Sequence, residues 1–255
     1  MDNYESGLLI KENDISYIEN GISLNELLQI EVKDEQFSRL MSIYKRASNQ
    51  VLQVLNGVQI EYDSVFNHNI INHTTSRIKA PASILNKMKK KNLELNYRNL
   101  IENINDIAGV RAICTTKDDV YTLAKIIEKI PNWNLINEKD YISNPKKSGY
   151  SGYHIIVEVP VRIQEENGKK QLGDGRVGSK ELKQSKFYLK NQIFVKVEIQ
   201  LRTMAMDFWA THEHKMKYKT NKKLSFFDSK KLAIYARVLN ILDDNFMKIS
   251  RKLNT

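Results

Sequence analysis

Residues 195–214 read VKVEIQLRTMAMDFWATHEH. In the first eight, Val195, Val197, Ile199 and Leu201 alternate with Lys196, Glu198, Gln200 and Arg202, the period of a β-strand with one face buried. The polar face is unusual. A solvated strand face carries interchangeable and often β-branched polar residues, whereas this one sets a carboxylate, an amide and a guanidinium in a row. Thr203 then supplies a cap for a helix that runs from Met204 to about Lys219. A half-buried strand passing directly into a helix points to a fold that mixes the two.

Working outward, the rest of the chain agrees. From Asp34 the residues Phe37, Leu40, Met41, Tyr44, Val51, Val54 and Leu55 fall on one helical stripe, with Gly57 as its expected stop. Residues 70–79 read as extended, and Ala80-Pro81 opens a second helix with Pro81 in its first turn and Ser83 and Lys87 on one face. The run Lys89–Lys91 that follows reads as a solvated helix end. GVRAICTT (109–116) has the small and β-branched residues of a buried strand. Asp118 and Asp119 are expected to cap a helix ending near Lys129, and a strand follows over 133–140. NPKKSGYSGYH (144–154) is rich in turn formers and leads into the strand HIIVEVPVRI (154–163). Residues 164–190 are charged and Gly-rich and form a loop; GDGRVG within it has no flanking strand and helix and is a linker feature. A last helix over 228–251 carries Leu232, Tyr235, Ala236, Leu239, Leu242 and Phe246 as its stripe. The order predicts an α/β (α+β) fold, a mixed β-sheet flanked by helices.

The formal charge is +10, unevenly spread. Residues 1–36 hold nine acids against Lys11 and Lys33, so this stretch is −7 and the remainder +17. The basic body suits phosphates, on nucleotides or on nucleic acid. No apolar run reaches the roughly 18–20 residues needed to span a bilayer, and the start lacks the pattern of a signal peptide, so a cytoplasmic, membrane-free protein is expected. The lone Cys114, in VRAIC, reads as a small core residue.

Several polar residues stand where folding alone would not ask for them. Arg77 and Lys79 share a face of an extended segment, Asp106 precedes a buried strand, and Arg111 interrupts it, which is costly unless the charge is paired or liganded. Asp106 and Glu198, from separate elements, make a site for a hard cation such as Mg2+. Arg77, Lys79, Lys87, Arg111 and Lys146 would neutralise a polyphosphate. That is the equipment of phosphoryl or nucleotidyl transfer; internal ion pairs such as Asp106 with Arg111 are the structural alternative. His212 and His214 face different ways on a helix, and no zinc spacing is present. Phe208 and Trp209, beside Met204 and Met206, read as helix core, whereas Tyr150, in a Gly-flanked turn beside Lys146 and Lys147, is placed to stack on a base.

RIKAPASILNK (77–87), INDIAGVRAI (104–113), KDYISNPKKSGYSGYH (139–154) and VEIQLRTMAMDFWATHEH (197–214) together resemble the consecutive motifs of the RelA/SpoT synthetase domain, in the form of a small alarmone synthetase. The resemblance covers about residues 70–220. It implies a nucleotidyltransferase-like synthetase domain there; the charge and periodicity readings add an acidic extension over 1–33, an N-terminal helical segment over 34–69 and a C-terminal helix over 221–255 expected to serve oligomerisation. It also implies a GTP pyrophosphokinase, which transfers pyrophosphate from ATP to the 3′-hydroxyl of GTP or GDP, and a homo-oligomer, tetrameric in the family. On this basis Asp106 and Glu198 would hold Mg2+, with Glu198 also the general base. Arg77 and Arg111 would sandwich adenine, and Lys79, Ser83 and Lys87 would meet the ATP phosphates. Tyr150 would stack on guanine, with Lys146, His154, Gln200 and Asp207 around the acceptor. Where the family reads G-Y-R-S-x-H, this chain has Gly149-Tyr150-Ser151-Gly152-Tyr153-His154. The altered residues and the basic body keep a second acceptor in view, the 3′ end of tRNA, as in toxin-type relatives. A non-enzymatic nucleotide or RNA binder is the third reading.

Overall fold

The strand that carries Glu198 lies at the centre of a five-stranded sheet. In the computed structural model, which describes residues 35–162, 192–219 and 225–253, the elements run α1 (Glu35–Phe66), β1 (Ile71–Ile78), α2 (Pro81–Lys90), α3 (Tyr97–Asn103), β2 (Ala108–Cys114), α4 (Lys117–Glu128), β3 (Asn134–Asp140), β4 (Tyr153–Arg162), β5 (Gln192–Thr203), α5 (Met204–Lys219) and α6 (Phe226–Leu253). The sheet order is β1-β2-β5-β4-β3. β2 and β5 run parallel and every other pair antiparallel, the mixed sheet that the sequence predicts.

The alternation in β5 separates the two faces of this sheet. Val197, Ile199 and Leu201 are fully buried, with Val110 and Ala112 of β2 and Ile155 and Val157 of β4 beside them. Helix α1 lies across this face, touching β1, β2, β4 and β5, and presents Leu40, Tyr44, Ala47, Val51 and Leu55 to it. Val120, Leu123 and Ile127 of α4 join the same core. Among the described residues the opposite face has no such cover. Its cross-strand rows read Thr75, Arg111, Gln200, His154 and, one row on, Arg77, Gly109, Glu198.

Several local expectations are corrected. Gly57 does not stop α1, which continues to Phe66; a long helix anchored by its buried first half absorbs one unfavourable residue. The cap of α4 is Thr116, in a capping box with Asp119, rather than Asp118 or Asp119. The short α3, capped by Asn96, had no periodicity long enough to announce it. Phe208 is 57% exposed and not core, whereas Trp209 is buried as expected. The stripe foreseen on α6 splits: Leu232, Ala236 and Leu239 pack inward, while Tyr235, Leu242 and Phe246 lie on the exposed side with Ile234, Val238, Ile241 and Ile249. The acidic arm and the loop 164–190 lie outside the described residues. No described helix is long and apolar enough to cross a membrane.

Polar contacts fasten α6 to the domain. The buried Lys117 donates to Asn240 Oδ1 at 2.7 Å and to Asp244 Oδ1 at 2.6 Å. Thr203 Oγ1 donates to the buried Asp243, Trp209 Nε1 to the Leu232 carbonyl at 2.9 Å, and Arg251 grips Asp118 through two bonds.

Because nothing lies within 4 Å of the position a Cβ would take at Gly57, Gly57→Ala is expected to stabilise the protein by about 0.5–1 kcal/mol; urea denaturation monitored by circular dichroism measures it.

Candidate functional site

The uncovered face of the sheet is where the singled-out polar residues meet. At one end Asp106, in the turn between α3 and β2, accepts from Lys79 Nζ at 2.7 Å and from Lys87 Nζ at 2.8 Å, both on Oδ2. Its other oxygen, Oδ1, is buried without a protein partner. Burial alone would push this carboxyl up, but the two lysines outweigh it and hold it below its usual range. The Lys79 N–H donates to the Ile107 carbonyl at 2.8 Å, which ties the end of β1 beside Asp106. The foreseen pair of Asp106 with Arg111 does not form: Arg111 reaches Asp207 Oδ1 instead, at 3.0 Å.

At the other end Glu198 is part of a closed ring. Its Oε1 meets His154 Nδ1 at 3.0 Å, and its Oε2 accepts from Gln200 Nε2 at 2.9 Å. Gln200 Oε1 accepts from Arg202 Nη2 at 2.8 Å, the same nitrogen donates to Tyr150 Oη at 2.9 Å, and that hydroxyl meets His154 Nε2 at 2.5 Å. With Glu198 ionised and able only to accept, His154 Nδ1–H donates to it; with a neutral imidazole the Tyr150 O–H then donates to Nε2. Burial raises the Glu198 carboxyl, His154 and Gln200 pull it down further, and the net is a lowered value. Burial raises the Tyr150 phenol against the opposing pull of Arg202.

Arg202 is the hub of this ring and the residue the sequence left unassigned. It is 5% exposed, and its Nη1 also donates to Asp207 Oδ1 at 2.9 Å, so Asp207 bridges Arg202 and Arg111. A guanidinium that fully buried needs such partners. Its signal was present: it continues the polar alternation of Glu198 and Gln200. Only the fold showed that Tyr150 and Asp207 stand around it.

A trough is lined by Thr75, Ser76, Arg77, Gly109, Val110, Arg111 and Gln200. A Cβ added at Gly109 would stand in ordinary contact with Arg77 Cγ, at 3.8 Å. Arg77 is exposed at the rim, and Ser83 is exposed one turn before Lys87 on α2. The Tyr150 turn closes the far side. Lys146 Nζ lies over the rings of Tyr141 at 4.4 Å and Tyr150 at 4.8 Å. Gly149 takes φ +94° and lies so close to α6 that a Cβ there would meet Ala236 Cβ at 2.5 Å; glycine is required on both counts.

Of the sequence-derived set, Arg77, Arg111 and Gln200 line the trough; Lys79, Lys87 and Asp106 form one polar cluster, Tyr150, His154, Glu198, Gln200 and Asp207 are joined through Arg202 in a second that reaches Arg111, Lys146 lies over Tyr150, and Ser83 is exposed on α2. Among the described residues no cluster of three or more His, Cys, Asp or Glu is present. Two acids, Glu198 with a carboxyl that the charge of Asp106 pushes up slightly and Asp106 with an oxygen buried without a partner among the described residues, fit a divalent cation that completes its shell with substrate phosphates rather than an all-protein cage. Chemically, such a trough can hold a polyphosphate against cations and present a carboxylate to a hydroxyl.

Comparison with known proteins shows the family and the fold. Residues 76–223 match the family described as the region found in RelA / SpoT proteins. GTP pyrophosphokinase YwaC of Bacillus subtilis is 31% identical over 234 residues, 91% of this chain and 99% of that protein. GTP pyrophosphokinase YjbM of the same organism is 33% identical over 186 residues, 73% of this chain and 75% of that one. The crystal structure of small alarmone synthetase 1 from Bacillus subtilis bound to its product pppGpp superposes with a TM-score of 0.71 at 28% identity, covering 87% of this chain and 100% of that one. The chain belongs to the RelA/SpoT family.

The Asp106 cluster makes a pH prediction. The folded value of this carboxyl lies below its unfolded one, so its contribution to stability is present above the unfolded value and is lost as pH falls through the folded one. The stability gap between wild type and Asp106→Asn, read by urea denaturation, is therefore expected to narrow steadily from pH 7 toward pH 3.

Proposed function

We propose that this protein is a GTP pyrophosphokinase of the small alarmone synthetase type. It transfers the terminal pyrophosphate of ATP to the 3′-hydroxyl of GTP or GDP, forming pppGpp or ppGpp and releasing AMP. The observation that carries the reading is the pair of ionised, half-buried carboxylates, Asp106 held by Lys79 and Lys87 and Glu198 opposite Gly109 of a trough lined by Arg77 and Arg111. The fold and activity named for its relatives support the same reading.

In this mechanism Arg77 and Arg111, either side of Gly109, hold the adenine of ATP, and Lys79, Lys87 and Ser83 meet its phosphates. Lys79 and Lys87 are spent on Asp106 in the free protein; an arriving polyphosphate offers them stronger acceptors and releases the carboxylate. Tyr150 stacks on the guanine, with Lys146, Gln200, His154 and Asp207 around the acceptor nucleotide. Glu198 is ionised and takes the proton of the 3′-hydroxyl as its oxygen attacks the β-phosphorus, and the bond from that phosphorus to the AMP oxygen breaks. Asp106 and Glu198 are the residues that would hold Mg2+; when bound, the cation would neutralise phosphate charge and acidify the hydroxyl, which suits a base whose own pKa is low. His154, fixed by Tyr150 on its far side, keeps the carboxylate of Glu198 aimed.

The tRNA acceptor gains no support from these relatives, which are named for GTP, and a non-enzymatic binder would have no use for both carboxylates. We place the protein in the cytoplasm, as a homo-oligomer assembled through α6, whose exposed face carries Ile234, Val238, Ile241 and Phe246. So long an apolar stripe exceeds what a free helix face normally shows.

Two experiments test the proposal. With γ-labelled ATP and GDP, wild type is expected to yield labelled ppGpp and Glu198→Gln none, at an unchanged melting temperature; undiminished synthesis by the variant would remove the catalytic assignment. Val238→Glu with Ile241→Glu is expected to lower the solution mass measured by light scattering.

A further inference from the structure

Tyr141 has no role in the scheme above. It follows β3 directly, and its N–H donates to the Gly152 carbonyl at 2.9 Å, which lays it across the Tyr150 turn. Its ring stands edge-to-face against Tyr150, with centroids 5.9 Å apart at 74°, and against His154, 5.3 Å apart at 89°. Tyr150 and His154 meet one another in the same manner at 5.6 Å and 77°. The three rings thus form a corner, and the ammonium of Lys146 sits in it, over both tyrosines.

We propose that Tyr141 is a positioning residue of the acceptor site. Its ring fixes the face of Tyr150 on which a purine would stack, steadies His154, and keeps Lys146 within reach of the acceptor's phosphates. The inference rests on the acceptor reading given above. Perpendicular ring pairs depend on the positive edge and negative face of an aromatic system, and the ammonium depends on that same negative face; an aliphatic side chain of similar bulk supplies neither. In the free protein Lys146 occupies the space over Tyr150 that a base would take. Stacking therefore displaces the ammonium outward, and Tyr141 retains it beside the nucleotide. All of these contacts use the ring and none uses the hydroxyl.

The test is steady-state kinetics with ATP and GDP on Tyr141→Phe and Tyr141→Leu. Tyr141→Phe keeps the ring and is expected within about twofold of wild type, while Tyr141→Leu raises the KM for GDP about tenfold, leaves the KM for ATP within about twofold and changes kcat less than KM. If Tyr141→Leu melts below the assay temperature, Tyr141→Met is read in the same way. An unchanged KM for GDP in the ringless variants, an equal rise in both KM values, or a Phe variant as impaired as Leu overturns the assignment. If wild type itself makes no product from ATP and GDP, the acceptor reading fails; if wild type turns over and the ringless variants match it, only the role of Tyr141 falls.

Discussion

The constraint on which the structure depends is the two-sidedness of β5. Val197, Ile199 and Leu201 have no exposed surface, while Glu198 and Gln200 between them keep part of theirs. A slip of one residue would carry Glu198, Gln200 and Arg202 into the core and expose the aliphatic set, at the cost of burying charges without partners. The register of β5 is therefore firmly set, and through its neighbours it sets the rest. Gly109 is opposite Glu198, Arg111 opposite Gln200, and His154 opposite Gln200 from the other side. Apolar burial on one face thus determines which charges meet on the other.

The charges themselves are arranged so that few are left to chance. Asp207 serves two guanidiniums, Asp106 serves two ammoniums, and Glu198 is held by an imidazole and an amide. A group fixed beforehand, as Glu198 is by His154 and Gln200, need not reorganise as charge shifts around it. Support comes from behind: α6 presses Ala236 against Gly149, and Trp209 joins Leu232 and Leu239 beneath Tyr150. The C-terminal helix is joined on its inner side to the Tyr150 turn, and its outer side is the apolar face proposed for oligomerisation.

Some of this was open to inspection in the chain. The alternation of β5, the carboxylates Asp106 and Glu198, the intrusive Arg111 and the Gly-flanked Tyr150 all carry their meaning locally, because a charge inside an apolar run needs a reason wherever the fold places it. Other features depend on distant partners. Arg202 looked like one more polar residue until Tyr150, 52 positions away, was placed against it. That Lys79 and Lys87, rather than Arg111 of the alternative ion pair, reach Asp106 depends on the β1–α2 turn. The stripe on α6 was legible, but which of its residues pack inward was not, because a helix pattern does not say how wide its partner is.

The sequence by itself determined the mixed α/β architecture, the class of chemistry and, through four motifs in order, the family, since periodicity and residue type are properties of short stretches. The tertiary structure alone decided the pairings: the ring from Glu198 through Gln200, Arg202, Tyr150 and His154, the sharing of Asp207, the corner formed by Tyr141, and the outward face of α6. Hydrogen bonds and ion pairs act over about 3 Å, and which side chains come within that distance depends on how strands far apart in the chain are brought into register.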